Sequence, residues 1–143
     1  DGQALSLAAE NIALHRRSDR VIALRTDLLS ALSSGSVDVV LANPPYVSRA
    51  EIAELPPEYN AEPRIALEAD AEGTEFAVDL LRDGARVLAP DGIMLLEVGE
   101  TWVELEDRLP KVPFLWLELP HGGSGVAAIS AQELRDWDAA GIL

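Results

Sequence analysis

Cysteine is absent from all 143 residues, so no disulfide and no thiolate metal site can form. Histidine is close to absent: His15 and His121 lie far apart without accompanying ligands, so both read as ordinary residues and no metal site is expected. Cations are scarce too, with 11 basic residues against 25 acidic ones and a formal net charge of −14. A surface of that sign repels phosphate backbones and offers little counterion release, which argues against nucleic acid as a partner. The one basic cluster, Arg16, Arg17, Arg20 and Arg25, reads as a solvated helix end and strand flank. No apolar run approaches the roughly 18 residues of a membrane span, and no leader pattern is visible. No membrane association is expected, and the cytoplasm is the expected compartment. Aromatic residues make up only 5%, and Trp102, Trp116 and Trp137 read as packing residues.

Apolar residues, by contrast, reach 48%, enough to fill one core in a chain of single-domain length. Leu5, Ala8 and Ile12 recur at helical spacing, which predicts an amphipathic helix at the start. Val21-Ile22-Ala23-Leu24 reads as a short strand, and residues 37–42 as a second, more fully buried one. A helix fits residues 75–88, with Phe76, Leu80, Leu81, Ala85 and Leu88 on one side, stopped by Ala89-Pro90-Asp91-Gly92. Residues 93–98 form a third strand, and Gly99 opens a loop into a helix over 101–109. Residues 114–117 and 126–129 make a final pair of short strands, with a flexible link at 120–125 between them, and 132–143 form a last short helix. Strands alternating with helices predict an α/β fold, mostly parallel with an antiparallel C-terminal strand, and helices on both faces.

The most informative stretch is Asn43-Pro44-Pro45-Tyr46, which ends the apolar run Val39-Val40-Leu41-Ala42. It puts a polar amide and two proline-locked carbonyls at the carboxyl edge of a sheet, where open α/β sheets bind ligands. Proline fixes its own φ, donates no N–H and pushes the preceding residue toward extended geometry. The loop is therefore rigid and rich in acceptors. An –NH2 group has two hydrogens to place, and the Asn43 side-chain oxygen and the Pro44 carbonyl can take one each. Tyr46 would stack on the planar group. Asn-Pro and Pro-Pro are also ordinary turn signals, but a turn alone does not explain the strand before it. The connection from Pro44 to about Gly73 is long for a compact domain, which suggests a substrate-covering flap. Its alternative is a partly helical excursion, with a turn of helix over 50–55.

Together these residues resemble the protein-(glutamine-N5) methyltransferase family, whose members methylate peptide-chain release factors. The similarity covers nearly the whole chain. It rests on residues 4–11, Asp27-Leu28-Leu29-Ser30-Ala31-Leu32, the run from Val37 through Asn43-Pro44-Pro45-Tyr46 to Val47, Glu62-Pro63-Arg64-Ile65-Ala66-Leu67, Glu72-Gly73, Leu88-Ala89-Pro90-Asp91-Gly92 and Leu96-Glu97-Val98-Gly99. The Asn-Pro-Pro-Tyr motif alone marks the wider group of amino methyltransferases. Coupled to Glu-Pro-x-x-Ala-Leu about twenty residues later, it is much more specific. The family's glycine-rich cofactor turn has no counterpart here, since Gly122-Gly123-Ser124-Gly125 precedes a strand. The resemblance is therefore to the C-terminal part of a Rossmann-like methyltransferase domain, and Asp1 reads as a helix cap. Glu100-Thr101-Trp102 and the 120–125 loop also depart from the family pattern.

The resemblance implies S-adenosyl-L-methionine as methyl donor. Asp27 would accept the adenine amino group, Leu28 would pack on the ring, and Asn43 would stand where donor and acceptor meet. Asp27 has the alternative of capping a following helix. Asn43, Pro44, Pro45 and Tyr46 would form the catalytic site and, with Glu62 and Pro63, the substrate site; Glu62, Pro63 and Arg64 would shape the flap. The implied partner is a protein substrate, a release factor or a ribosomal protein. An adenine-N6 methyltransferase and a non-catalytic truncated binding module are the alternatives.

Overall fold

The computed structural model describes residues 1–47, 52, 56, 59, 62–69, 73–120 and 123–143. The expected helical turn over 50–55, apart from Ile52, lies outside them, as do Glu72, His121 and Gly122. Helix α1, Gly2–Leu14, starts where the Asp1 carboxylate accepts hydrogen bonds from the backbone N–H groups of Gln3 and Ala4 at 2.8 and 2.9 Å. That is the cap anticipated for Asp1, and it satisfies donors left over at a helix start. No residue of α1 is buried. Strand β1, Val37–Ala42, is followed by α2, Glu75–Val87, and β2, Leu88–Glu97. A 3-10 turn at Gly99–Thr101 runs into α3, Trp102–Arg108, and β3, Val126–Ser130, leads directly into α4, Ala131–Ala139.

The sheet has the order β1-β2-β3, with β1 parallel and β3 antiparallel to β2. Alternation along the strands decides what is buried. Val40, Met94, Leu96, Ala127 and Ile129 point to one side and join Leu81 of α2, Leu105 of α3 and Leu134 and Trp137 of α4 in a single core. Their neighbours on the other side, Val39, Leu41 and Ile93, are 52%, 74% and 39% exposed. Among the described residues, helices thus cover one face of the sheet, not both. The reason lies in the connections: the α2 crossover and the α4 return both fall on the same side, and α1 buries nothing against the other.

Three further expectations shift. The strand at 21–24 does not form, and Val21, Ile22 and Leu24 are 47%, 87% and 51% exposed. A strand needs a neighbour's backbone groups, and no described strand pairs with this segment. The segment at 114–117 reduces to one bridge, Trp116 to Ala127, held by Leu117 N–H to Val126 at 2.8 Å and Ala128 N–H to Leu115 at 3.1 Å. The Ala89-Pro90-Asp91-Gly92 turn is absorbed into β2 as an irregularity, because Val37 pairs with Leu88 while Val39 already pairs with Ile93.

Residues 29–32 are fastened to α2 instead of to a strand. The Arg86 guanidinium donates to the Leu32 and Leu29 carbonyls at 2.7 and 3.0 Å, and the Asp83 carboxylate accepts from Leu29 N–H at 3.0 Å. Arg86 and Asp83 also pair with each other at 3.1 Å. The aromatic residues form a packed chain, Trp102 to Trp116 to Phe114 to Trp137, with centroid separations of 5.9, 5.1 and 6.1 Å.

Candidate active site

Parallel pairing brings the carboxyl ends of β1 and β2 together. Leu41 stands opposite Leu95 and Ala42 opposite Leu96, so the register carries Asn43 alongside Glu97. Both follow Leu41 and Leu95 onto the open face, because side chains two residues apart share a face. The two polar groups line one cavity of about 360 Å³, walled mainly by Leu41, Leu95, Leu117, Leu119 and Val126. Asn43 is exposed and Pro44 buried, with Pro45 and Tyr46 half-buried. Among the described residues, nothing donates a hydrogen bond to the Asn43 side chain or the Pro44 carbonyl. Asn43 lines the cavity, whereas Pro44 is buried behind it and is not among the described lining.

Tyr46 is held from two sides by glycine. A β-carbon on Gly99, at φ +55°, would come 2.8 Å from Cε2 and 2.9 Å from Cζ of the ring, so the ring lies directly on that peptide. A β-carbon on Gly73 would meet the Tyr46 carbonyl oxygen at 2.7 Å. Burial pushes the Tyr46 phenol above its usual pKa, and the charge of Glu97 adds to the rise, followed by Tyr59 and Glu100. One ring face is therefore committed to the protein. Gly99 is itself backed by Gly125, where a β-carbon would run into the Gly99 oxygen, and Val98 N–H donates to the Gly125 carbonyl at 2.8 Å.

The two motifs meet in space. Val47, directly after Tyr46, donates its N–H to the Leu67 carbonyl at 3.1 Å, and its carbonyl accepts from Ala69 N–H at 2.9 Å. Glu62-Pro63 leads into the 3-10 turn Arg64–Ala66 that delivers Leu67 to this pairing. Glu62 and Pro63 are exposed and stand outside the Asn43 cavity. Asp27 and Leu28 also stand outside it. With no strand before it, Asp27 is not at a strand end; its carboxylate is exposed and caps no helix, while its backbone carbonyl accepts from Ser30 N–H at 3.0 Å. Leu28 adopts φ +45° and packs partly against the core.

Glu97 is the residue to which the sequence assigned no role. Its signal was present, an acid ending an apolar strand, but the neighbour that gives it meaning is set by register, which the sequence does not display.

The carboxyl edge of the partly parallel sheet thus sets the Asn43 side chain and the Glu97 carboxylate in one largely apolar cavity. No family model matches the chain. Two proteins named ribosomal protein uL3 glutamine methyltransferase do, one from Francisella tularensis at 36% identity over 131 residues and one from Xanthomonas campestris at 41% over 132. Each alignment takes in 92% of this chain and 42% of the relative, so the chain spans less than half the length of the relatives it matches. Over nearly its whole length the chain is thus similar to part of two protein-glutamine methyltransferases.

Proposed function

We propose that this chain carries the methyl-acceptor part of an S-adenosyl-L-methionine-dependent enzyme that methylates the side-chain nitrogen of a glutamine in a protein. The observation behind the reading is the Asn43 side chain, without a hydrogen bond among the described residues, in a cavity walled by leucines. A glutamine amide is a poor nucleophile because its nitrogen lone pair is delocalised into the carbonyl. Accepting both N–H bonds turns that lone pair away from the carbonyl and aims it along one direction. Orientation of this kind is worth on the order of 7–11 kcal/mol in the best intramolecular systems.

The donor supplies an electrophilic methyl on a positively charged sulfur. The residues present suit one side of such a molecule: Asn43 beside the apolar Leu41 and Leu95, and Asp27, exposed and without a hydrogen bond to its carboxylate, available for the adenine amino group. Leu28 would pack beside that ring, and Tyr46 would offer its remaining face to the substrate amide. The relatives' names favour ribosomal protein uL3 over a release factor as the substrate. The surface charge of −14 suits a basic protein partner and disfavours an adenine in nucleic acid.

The test is methyl transfer by the full-length protein to uL3 and to a release factor, with the modified residue mapped by mass spectrometry. The expected product is a singly methylated glutamine in uL3. Asn43→Ala should lower the rate at least a hundredfold and leave the circular dichroism unchanged, because Asn43 is exposed. A variant within about threefold of wild type would remove Asn43 from the mechanism.

A further inference from the structure

We propose that Glu97 is a catalytic residue of this site, the acceptor of the proton that the amide nitrogen must lose when it is methylated. This rests on the methyl-transfer reading above and adds a step to it. The nitrogen lone pair forms the new N–C bond as the methyl–sulfur bond breaks, and the electron pair of that bond leaves on sulfur. The nitrogen then bears two hydrogens, a methyl and a positive charge. One proton has to depart to give the neutral N-methyl amide. The Asn43 and Pro44 oxygens accept hydrogen bonds but are too weakly basic to keep a proton. A carboxylate keeps it, and releases it to water when the product leaves.

The sheet puts Glu97 where that proton emerges. Neighbouring strands run about 4.8 Å apart, and the register that pairs Ala42 with Leu96 brings Asn43 and Glu97 side by side on the same face. Both line the same cavity, in which Glu97 is the only charged residue among the described lining. It is half-buried, yet among the described residues it has no hydrogen bond or salt bridge to its carboxylate. The titratable groups facing this corner are Tyr46, whose phenol stays protonated, and Tyr59 and Glu100, which act on the same phenol. Among the described residues, no lysine or arginine lines the cavity to neutralise it.

The experiment measures single-turnover methylation of uL3 by the full-length protein across pH, for wild type, Glu97→Gln, Glu97→Asp and Asn43→Ala. Wild type should show an acid limb of slope one in log rate. Glu97→Gln should lower the plateau by about 10²–10⁴-fold, the usual worth of a general base, abolish the limb, and leave donor affinity within about twofold. Glu97→Asp keeps a carboxylate, so the limb should persist at a reduced plateau, and this variant decides the matter if Glu97→Gln does not fold. A Glu97→Gln protein with wild-type rate and limb, or one with raised KM alone, overturns the proton-acceptor role. If Asn43→Ala also retains full activity, the site assignment itself fails along with it.

Discussion

Replacing Gly99 with alanine tests whether the Asn43 loop is held by the contact beneath Tyr46. Two costs are expected. Gly99 sits at φ +55°, and a side chain in the left-handed region costs about 1–2 kcal/mol. The added methyl would approach Cε2, Cζ and the hydroxyl of Tyr46 at 2.8, 2.9 and 3.2 Å. Overpacking of that kind costs about 1–3 kcal/mol, so the total is about 2–5 kcal/mol. The assay is urea unfolding of wild type, Gly99→Ala, Tyr46→Ala and the double variant, followed by circular dichroism. In the Tyr46→Ala background the steric part disappears and only the backbone cost of about 1–2 kcal/mol remains. The coupling between the two sites should therefore be at least 1 kcal/mol. A coupling below about 0.5 kcal/mol would refute the claim that the ring rests on this glycine.

The remaining predictions concern the scaffold. Ser130 caps α4 in a reciprocal box: its hydroxyl accepts from Glu133 N–H at 3.2 Å, and the Glu133 carboxylate accepts from Ser130 N–H at 2.8 Å and from its hydroxyl at 2.6 Å. Ser130→Ala should cost about 1 kcal/mol by thermal unfolding. The serine hydroxyl, then its backbone N–H, holds the Glu133 carboxyl below its ordinary pKa. Its contribution is therefore present above the unfolded-state value and lost as pH falls through the folded one. In Ser130→Ala that acid-side loss should shrink, which a series of melts between neutral and acid pH reads directly. On the sheet, Leu96→Ala at a fully buried position should cost about 2–5 kcal/mol. Leu41→Lys, at 74% exposure, should stay within about 0.5 kcal/mol of wild type in urea unfolding of this chain.

What could be read from the sequence was what is local. Asp1 announces a helix start because a cap needs only the next three residues. The apolar run at 37–42 and the spacing of Leu80, Leu81 and Ala85 give β1 and α2 for the same reason, since periodicity is carried by the segment itself. Val21–Leu24 shows the limit: its residues favour a strand, but a strand exists only through pairing, and no described strand pairs with it. The site divides in the same way. Asn43 and Pro44 stood out in the sequence because residue type and position after a strand are local features. Glu97, Gly73 and Gly99 were not, because what they do depends on which residue of another element stands against them.

The irregularity in β2 has a consequence for the chemistry at the opposite end of the sheet. Beyond the pairing of Val39 with Ile93 the strands run in step to Ala42 and Leu96. The number of residues taken up between Leu88 and Ile93 therefore fixes the phase of everything that follows. Removing one residue from Ala89-Pro90-Asp91-Gly92 while β1 keeps its place would advance β2 by one position, and Val98 would arrive beside Asn43 in place of Glu97. A single step also turns the whole strand over, sending Leu96 outward and Leu95 inward. The excursion thus acts as a vernier, about 13 Å from the site by strand rise. It sets by length alone which side chain the amide loop meets.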